Sequence, residues 1–396
     1  MTAPPPTILY VIGSLDPATG GPASSAPNTW VSARRAGLGV TAAVVETSVV
    51  GDGERAIRRR LTDEGVVLKM FPAARDRGLA VRWGVSWRLA RWLWTAAPRA
   101  DLVHAHGAWM FSTIVALLAA KMAGKPFALT PHESLTRRDV AWGATPLKFW
   151  IKRAVKRLLM RFTDLVVFAS EIERRDSAEA GERGRREVIY HPVADDAAVL
   201  PLPRAVRPVP RPLTLGFLGR FDGKKNIELL LDVVAGLPDA YIQMAGGGPA
   251  AYERDLRARA ERLGITGQVR WLGFIAAEAR PAFFADIDIL VMPSAYEGFG
   301  MVSAEALSHG VPVVVTDSSG IAELVAKYDC GIVARPDRRT IAEAIQTLAA
   351  DPGRLARCSA NALTMCRAEL MAADYGSRLA GLYTKVLAQP FLAQPL

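Results

Sequence analysis

The chain has few cysteines. Cys330, Cys358 and Cys366 make an odd count among 396 residues, and no two stand as C-x-x-C. A disulfide framework is not expected, and a reducing, cytosolic setting fits. Long apolar runs are also missing: the longest candidate, residues 109–120, stops at Lys121, short of the roughly 20 residues of a membrane-spanning helix. No basic leader precedes the first apolar run, Ile8 to Ile12, so no signal peptide is expected. What is present is core material. Half of the residues are apolar, which excludes a disordered chain, and the length suits two domains, each large enough to bury a core. The net charge of +10 favours anionic partners, whether nucleotide diphosphates, nucleic acid or an acidic membrane surface.

Short β-rich runs alternate with helical stretches. Ile8–Ile12, Thr41–Glu46, Leu102–Ala105, Phe127–Thr130 and Leu165–Phe168 read as strands, and residues 28–36 and 112–123 as helices. Strands separated by helices imply right-handed βαβ units and a mostly parallel sheet. Prolines 201, 203, 208, 210 and 212 then crowd a stretch with Arg204, Arg207 and Arg211, which reads as a linker over residues 201–212. The alternation restarts with strands at 214–218, 241–245, 269–272, 289–292 and 311–316. Two doubly wound α/β domains are expected, residues 1–200 and 213–373, with a ligand between them at the carboxyl ends of their strands.

The second half carries the chemistry. In Leu215-Gly-Phe-Leu-Gly-Arg-Phe-Asp-Gly-Lys-Lys-Asn226 a strand runs into Gly219, Arg220 follows, and Lys225 stands five residues on. Two such cations can grip one diphosphate and offset the charge that grows on it as it departs; a solvated basic turn is the plainer alternative. Met244-Ala-Gly-Gly-Gly-Pro249 is a glycine turn that lets backbone approach a phosphate through Gly246 and Gly248. No acidic residue follows about 20 positions on to hold a ribose, so a dinucleotide fingerprint is not read here. The densest segment is Val291 to Ala306, where a strand ends near Met292, a loop carries Glu297-Gly-Phe-Gly300, and a helix begins near Met301. Glu305, one turn inside that helix, leans back toward the loop mouth. Two carboxylates then face one pocket and can accept hydrogen bonds from sugar and ribose hydroxyls, while the N–H groups of Gly300, Met301 and Val302 favour an anion. The alternative makes Glu305 a helix-surface charge and Glu297 a neighbour of the helix cap, and leaves the glycines around Phe299 unexplained.

E-x7-E, with Gly310-Val-Pro-Val-Val-Val315 and Gly320-Ile-Ala-Glu323 after it, resembles glycosyltransferase family 4, retaining enzymes of the GT-B fold with two Rossmann-like domains facing each other across a cleft. Arg220 and Lys225 match that family's R-x4-K pair, and Gly246 to Pro249 its glycine turn. The resemblance implies that Arg220 and Lys225 bind the diphosphate of a UDP- or GDP-sugar and that Glu305 holds its ribose. Glu297, Gly298 and the backbone near Phe299 and Gly300 would bind the sugar. Gly20 and Gly21 match the family's N-terminal Gly-Gly that closes on the diphosphate. His132, in Leu129-Thr-Pro-His-Glu133, is by the same resemblance the histidine beside the reacting sugar. Reaction is expected with retention, on the front face, without metal or other cofactor. The last helix, within residues 374–390, is expected to cross back onto the first domain. His191-Pro-Val193 departs from the family's usual Pro-Asn-Gly-Val.

Other residues carry patterns of their own. His104 and His106, two apart on one strand, share a face, read as lining the cleft but not as metal ligands. Asp286-Ile-Asp288 looks like a metal-binding D-x-D but precedes its strand, at the wrong end. Residues 148–162 form a basic amphipathic pattern, with Lys148, Lys152, Arg153, Lys156 and Arg157 on one face and Leu147, Ile151, Ala154, Val155, Leu158 and Phe162 on the other. Such a helix can lie on an anionic bilayer, each basic residue contributing about 1 kcal/mol; residues 82–94 mix tryptophan and arginine similarly. A peripheral protein on the cytoplasmic membrane face with a lipid-linked or polysaccharide acceptor is the expectation, without nucleic acid as partner. A sugar-nucleotide epimerase and a non-catalytic nucleotide-sugar or membrane-binding protein are the competing readings.

Overall fold

The structure is a computed structural model that describes residues 4–16, 21–46, 51–74, 83–193, 200–201 and 212–388. Gly20, Arg82 and residues 202–211 of the expected linker lie outside them. The chain divides into two compact units, Met1–Pro192 with Ala372–Leu396, and Val193–Met371. The first boundary therefore falls before the proline-rich stretch rather than at residue 200. Val193 N–H donates to the Leu370 carbonyl at 3.1 Å, tying it to the second unit.

The first unit runs β1 (Thr7–Ile12), α1 (Gly21–Arg35), β2 (Gly39–Glu46), α2 (Asp52–Asp63), β3 (Val67–Pro72), α3 (Trp87–Ala96), β4 (Leu102–His106), α4 (Phe111–Met122), β5 (Phe127–Thr130), α5 (Arg137–Ala141), α6 (Pro146–Phe162), β6 (Leu165–Phe168), α7 (Glu171–Ser177) and β7 (Arg185–Val188). The second runs β8 (Leu213–Arg220), α8 (Ile227–Val234), β9 (Ala240–Gly247), α9 (Ala250–Arg262), β10 (Val269–Gly273), α10 (Arg280–Asp286), β11 (Ile289–Met292), α11 (Met301–Ser308), β12 (Val313–Thr316), α12 (Ala322–Tyr328), β13 (Gly331–Ala334), α13 (Arg338–Ala349) and α14 (Pro352–Glu369). The last helix, α15 (Ala372–Leu387), belongs to the first unit.

Both sheets are parallel, in the orders β3-β2-β1-β4-β5-β6-β7 and β10-β9-β8-β11-β12-β13. Inner strands read as unbroken apolar runs, such as Leu-Val-Val-Phe in β6 and Ile-Leu-Val-Met in β11, because helices cover both faces and these side chains are buried. Strand order reverses between β1 and β4 in one sheet and between β8 and β11 in the other, the switch points where doubly wound sheets bind ligands. Ile12 sits opposite His106 at the first, and Leu215 opposite Ile289 at the second.

Serines and threonines start several helices: Ser86, Thr136, Thr145 and Ser170 each accept a hydrogen bond from an N–H of the first turn. Strands β3, β7 and β13, absent from the sequence reading, are edge or short strands. Arg-Arg-Glu-Val in β7 blunts an edge with charge. Helix α1 begins seven residues before the expected 28 and contains Pro27. Buried Ala23, Ala26 and Trp30 hold this stretch as helix against its poor propensity. On the other side of α1 lies α15, brought close because residue 376 is glycine: a Cβ there would stand 2.3 Å from the Ser32 carbonyl oxygen. Between these helices and the sheet, Trp30, Tyr10, Tyr375 and Tyr383 join the core on one face; α3, α4 and α6 cover the other.

Candidate functional site

In the second unit, β8 ends at Arg220, and Gly223–Lys225 forms a 3-10 turn before α8. That turn brings the Lys225 Nζ onto Glu297 Oε2 as an ion pair, with Ser294 Oγ donating to the same oxygen at 3.2 Å. The loop carrying Glu297 is stitched in place by backbone. Ala295 N–H donates to Lys224 O (2.8 Å), Glu297 N–H to Ser318 O (3.1 Å), Gly320 N–H to Glu297 O (2.9 Å) and Ile321 N–H to Phe299 O (2.7 Å). Gly300 has φ 102°, a conformation that disfavours a side chain, and a Cβ there would crowd Ser319 Oγ at 3.1 Å. It opens α11, so the N–H groups of Met301 and Val302 stand in a first helical turn. Phe299 is buried and anchors the loop from below.

Arg220 and Glu305 behave differently from Lys225 and Glu297. The Arg220 side chain is 58% exposed and reaches Asp222 at 3.4 Å, a solvated pairing at the strand end. Glu305 is held by Arg280 of α10, whose Nη1 lies 2.7 and 2.8 Å from its two oxygens. Burial raises the Glu305 pKa, and Arg280 and His309 oppose that rise. Arg280 was missed by sequence reasoning; it lies 25 residues from its partner on a different helix, and no spacing announces it. Gly246 and Gly248 have a packing reason for lacking a side chain, separate from the phosphate approach expected of them. A Cβ on Gly246 would lie 1.8 Å from Gly219 O, and one on Gly248 2.1 Å from Phe221 O, while Gly248 N–H donates to Glu253 Oε1 (2.7 Å). Asp288 accepts from Thr214 N–H at 2.9 Å, which occupies it at the amino end of β11.

In the first unit, β4 and β5 end in a group of histidines. His104 and His106 are fully buried with rings stacked 4.9 Å apart. They face the interior under α1 and α15, not an open cleft. The reason is packing: their β4 face meets Tyr10, Trp30 and Tyr383. His106 Nδ1 is 2.9 Å from His132 Nε2, and His132 stacks on His191 at 5.3 Å. His191 is thus a member of the group that no motif announced. Burial pulls the imidazole pKa of His104 down to about 3 and that of His191 to about 4, and those of His106 and His132 well below their ordinary value. All four rings are neutral at pH 7. His132 and Glu133 adopt left-handed φ values of 49° and 63°, costly for side-chain-bearing residues. Glu173 of α7 holds that turn: its two oxygens accept Glu133 N–H (2.5 Å) and Ala169 N–H (2.7 Å), and burial pushes its pKa up to about 7.

Residues 203–365 match the family described as Glycosyl transferases group 1, and residues 20–193 match the Glycosyl transferase 4-like domain. The chain belongs to the group 1 glycosyl transferases. Alpha-D-kanosaminyltransferase of Streptomyces kanamyceticus is 30% identical over 181 residues, 44% of this chain and 46% of that protein. Glycogen synthase of Mycobacterium tuberculosis is 28% identical over 277 residues, 67% of this chain and 65% of that protein. Both alignments cover less than two thirds of the relative's length. Among solved structures, Anabaena Alr3699/HepE in complex with UDP and glucose superposes with a TM-score of 0.75 at 21% identity, covering 96% of this chain and 99% of that one. The fold is GT-B, with two Rossmann-like domains.

In this group 1 glycosyl transferase the basic face expected on α6 is partly turned inward. Lys156 is 3% exposed and lies 3.7 Å from Glu179. Lys152 donates to the Asp139 carbonyl at 2.8 Å and sits over the Trp109 ring. Lys156 is buried on the same helix as Leu159 and Met160, and the Glu179 carboxylate makes that burial tolerable. The exposed side is instead mostly apolar: Leu147 (71%), Trp150 (62%), Ile151 (47%) and Leu158 (40%). Lys148 and Arg157 remain exposed at its border, and Arg153 lies against the Trp150 ring. Trp87 and Trp94 of α3 are exposed as well, while Leu89 and Leu93 face the core. Among the described residues no helix is long and apolar enough to cross a membrane.

Proposed function

We propose that the chain is a retaining, metal-independent glycosyltransferase that moves a sugar from a UDP- or GDP-linked donor to an acceptor hydroxyl. The observation that carries this reading is the Lys225–Glu297 pair, drawn from two loops at the switch point of the second sheet. An ammonium there offsets negative charge on a departing diphosphate, and a carboxylate beside it accepts from sugar hydroxyls. Arg220, exposed at its strand end beside Asp222, adds a second cation. Glu305, oriented by Arg280, keeps lone pairs for the ribose. Gly21, Gly246, Gly248 and Gly298 contribute backbone, and the first turn of α11, with Met301 and Val302, favours the anion. The complex of Alr3699/HepE with UDP and glucose, and the names of the glycosyl-transferring relatives, support a nucleotide-sugar donor.

In the reaction proposed, the bond from C1 to the phosphate oxygen breaks as the acceptor oxygen bonds to C1 on the same face. The leaving phosphate oxygen takes the acceptor proton. His132 borders the reacting sugar.

The acceptor proposed is lipid-linked or a polysaccharide precursor, met at the cytoplasmic face of a membrane. The apolar outer side of α6, bordered by Lys148 and Arg157, supports this: apolar side chains enter the headgroup boundary and the cations pair with anionic lipid. One experiment tests the whole reading. UDP- and GDP-sugars are offered with a membrane lipid extract, with and without EDTA, and products are followed by mass spectrometry. Transfer to lipid from one donor, unchanged by EDTA, is expected. Release of a rearranged nucleotide-sugar with no acceptor product would make the protein an epimerase, and no turnover of any donor would leave a binding protein.

A further inference from the structure

The histidine group of the first unit carries a direction. Trp30 Nε1–H, which can only donate, lies 3.1 Å from His106 Nε2. That nitrogen must therefore be bare. A neutral imidazole has one N–H, so the His106 proton is on Nδ1 and is donated across 2.9 Å to His132 Nε2. His132 then carries its own proton on Nδ1, 3.4 Å from Ser25 Oγ. The other end of the chain gives the same answer independently. Ser25 Oγ–H donates to the Gly21 carbonyl at 3.1 Å, and a carbonyl can only accept. Ser25 Oγ is left to accept from His132, which again places the proton on Nδ1. A donor-only indole at one end and an acceptor-only carbonyl at the other allow a single arrangement of protons.

We propose that Trp30 is a positioning residue that acts through His106 to fix His132 as its Nδ1–H tautomer, so that His132 donates a hydrogen bond to a substrate oxygen and does not accept a proton. The lone pair on Nε2 is committed to His106, so the ring has no free basic nitrogen. The bond to Ser25 is long for N–H···O, and Nδ1–H is the group available to a sugar hydroxyl oxygen. The role toward substrate rests on the glycosyltransferase reading; the tautomer does not.

The test uses the intact protein labelled with 15N-histidine, with each signal assigned by substituting one histidine at a time. Two-bond 1H–15N spectra should place His132 Nδ1 in the protonated range and Nε2 in the unprotonated range. Trp30→Phe should shift both His106 and His132 toward averaged tautomers, because the 3.4 Å contact to Ser25 is too long to hold the proton alone, and lower kcat about tenfold with KM little changed, the scale of one misdirected hydrogen bond. Ser25→Ala should leave the tautomer in place, since the indole end suffices. A wild-type His132 protonated on Nε2, readable whether or not the Trp30 variant folds, overturns the proposal. So does a folded Trp30→Phe protein with unchanged histidine signals. Absence of sugar transfer by a wild type with the expected tautomer would sink the functional reading and leave the assignment standing.

Discussion

The two switch points differ in how they treat charge. In the second unit Lys225 and Glu297, 15% and 20% exposed in their side chains, stay together as an ion pair. In the first, four histidines stack under α1 and α15 and burial strips them of charge. A partly wet loop can hold opposite charges close, because each offsets the other's desolvation. A buried cluster of like titratable groups has no such offset and stays neutral. The first arrangement suits a partner whose negative charge grows. The second suits neutral hydrogen-bond donation.

Removing the charge should break the contrast most severely. Lys225→Ala is expected to lower turnover by about 100-fold or more while circular dichroism remains that of the wild type; full activity would dissociate the ion pair from function. Acid should next expose the other half of the comparison. His104 and His191 have pKa values near 3 and 4 in the folded chain, below the ordinary 6.5 that they regain on unfolding. Between those values the unfolded chain binds more protons. Stability is therefore complete above about pH 6.5 and falls as the pH drops toward the folded values, by about 1.4 kcal/mol per pH unit for each histidine. Urea melts at pH 7 and 5.5 should show that loss, and a double His104→Gln, His191→Gln protein should lose less. Glu173→Gln sharpens the comparison further, since an amide oxygen can accept only one of the two N–H groups now bonded. A loss of roughly 1–3 kcal/mol in denaturant unfolding is expected, against none if the left-handed turn at His132 holds itself. The smallest effect is expected at Arg280→Ala. Freed from its bidentate partner, Glu305 should hold the donor less well, raising the donor KM by about tenfold with kcat little changed.

Much of this is legible in the sequence. The unbroken apolar runs at β6 and β11 and the loop from Glu297 to Gly300 fell where periodicity and glycines put them, because local chemistry decides them. The edge strands β3 and β7 were not, since charge and proline mask their pairing. The pattern on α6 gives two faces, and the structure buries Lys156 of the basic one while leaving Leu147, Trp150, Ile151 and Leu158 of the other side exposed. Helical spacing gives the angle between Lys156 and Ile151, whereas Glu179, 23 residues beyond Lys156 and outside the helix, gives the buried ammonium its partner. Arg280 and His191 escaped altogether, because they meet their partners through tertiary packing and not through spacing.

The order of residues alone determined two α/β units, their strand-end loops and the cationic and acidic groups on them, since hydrophobic period and turn chemistry act over a few residues. Only tertiary structure decided which of those groups touch. It paired Lys225 with Glu297 but not with Glu305, gave Glu305 to Arg280, and ran hydrogen bonds from Trp30 to Gly21 through two histidines. Burial and hydrogen-bond direction are properties of neighbours in space, and they set both the charge and the proton position of each side chain.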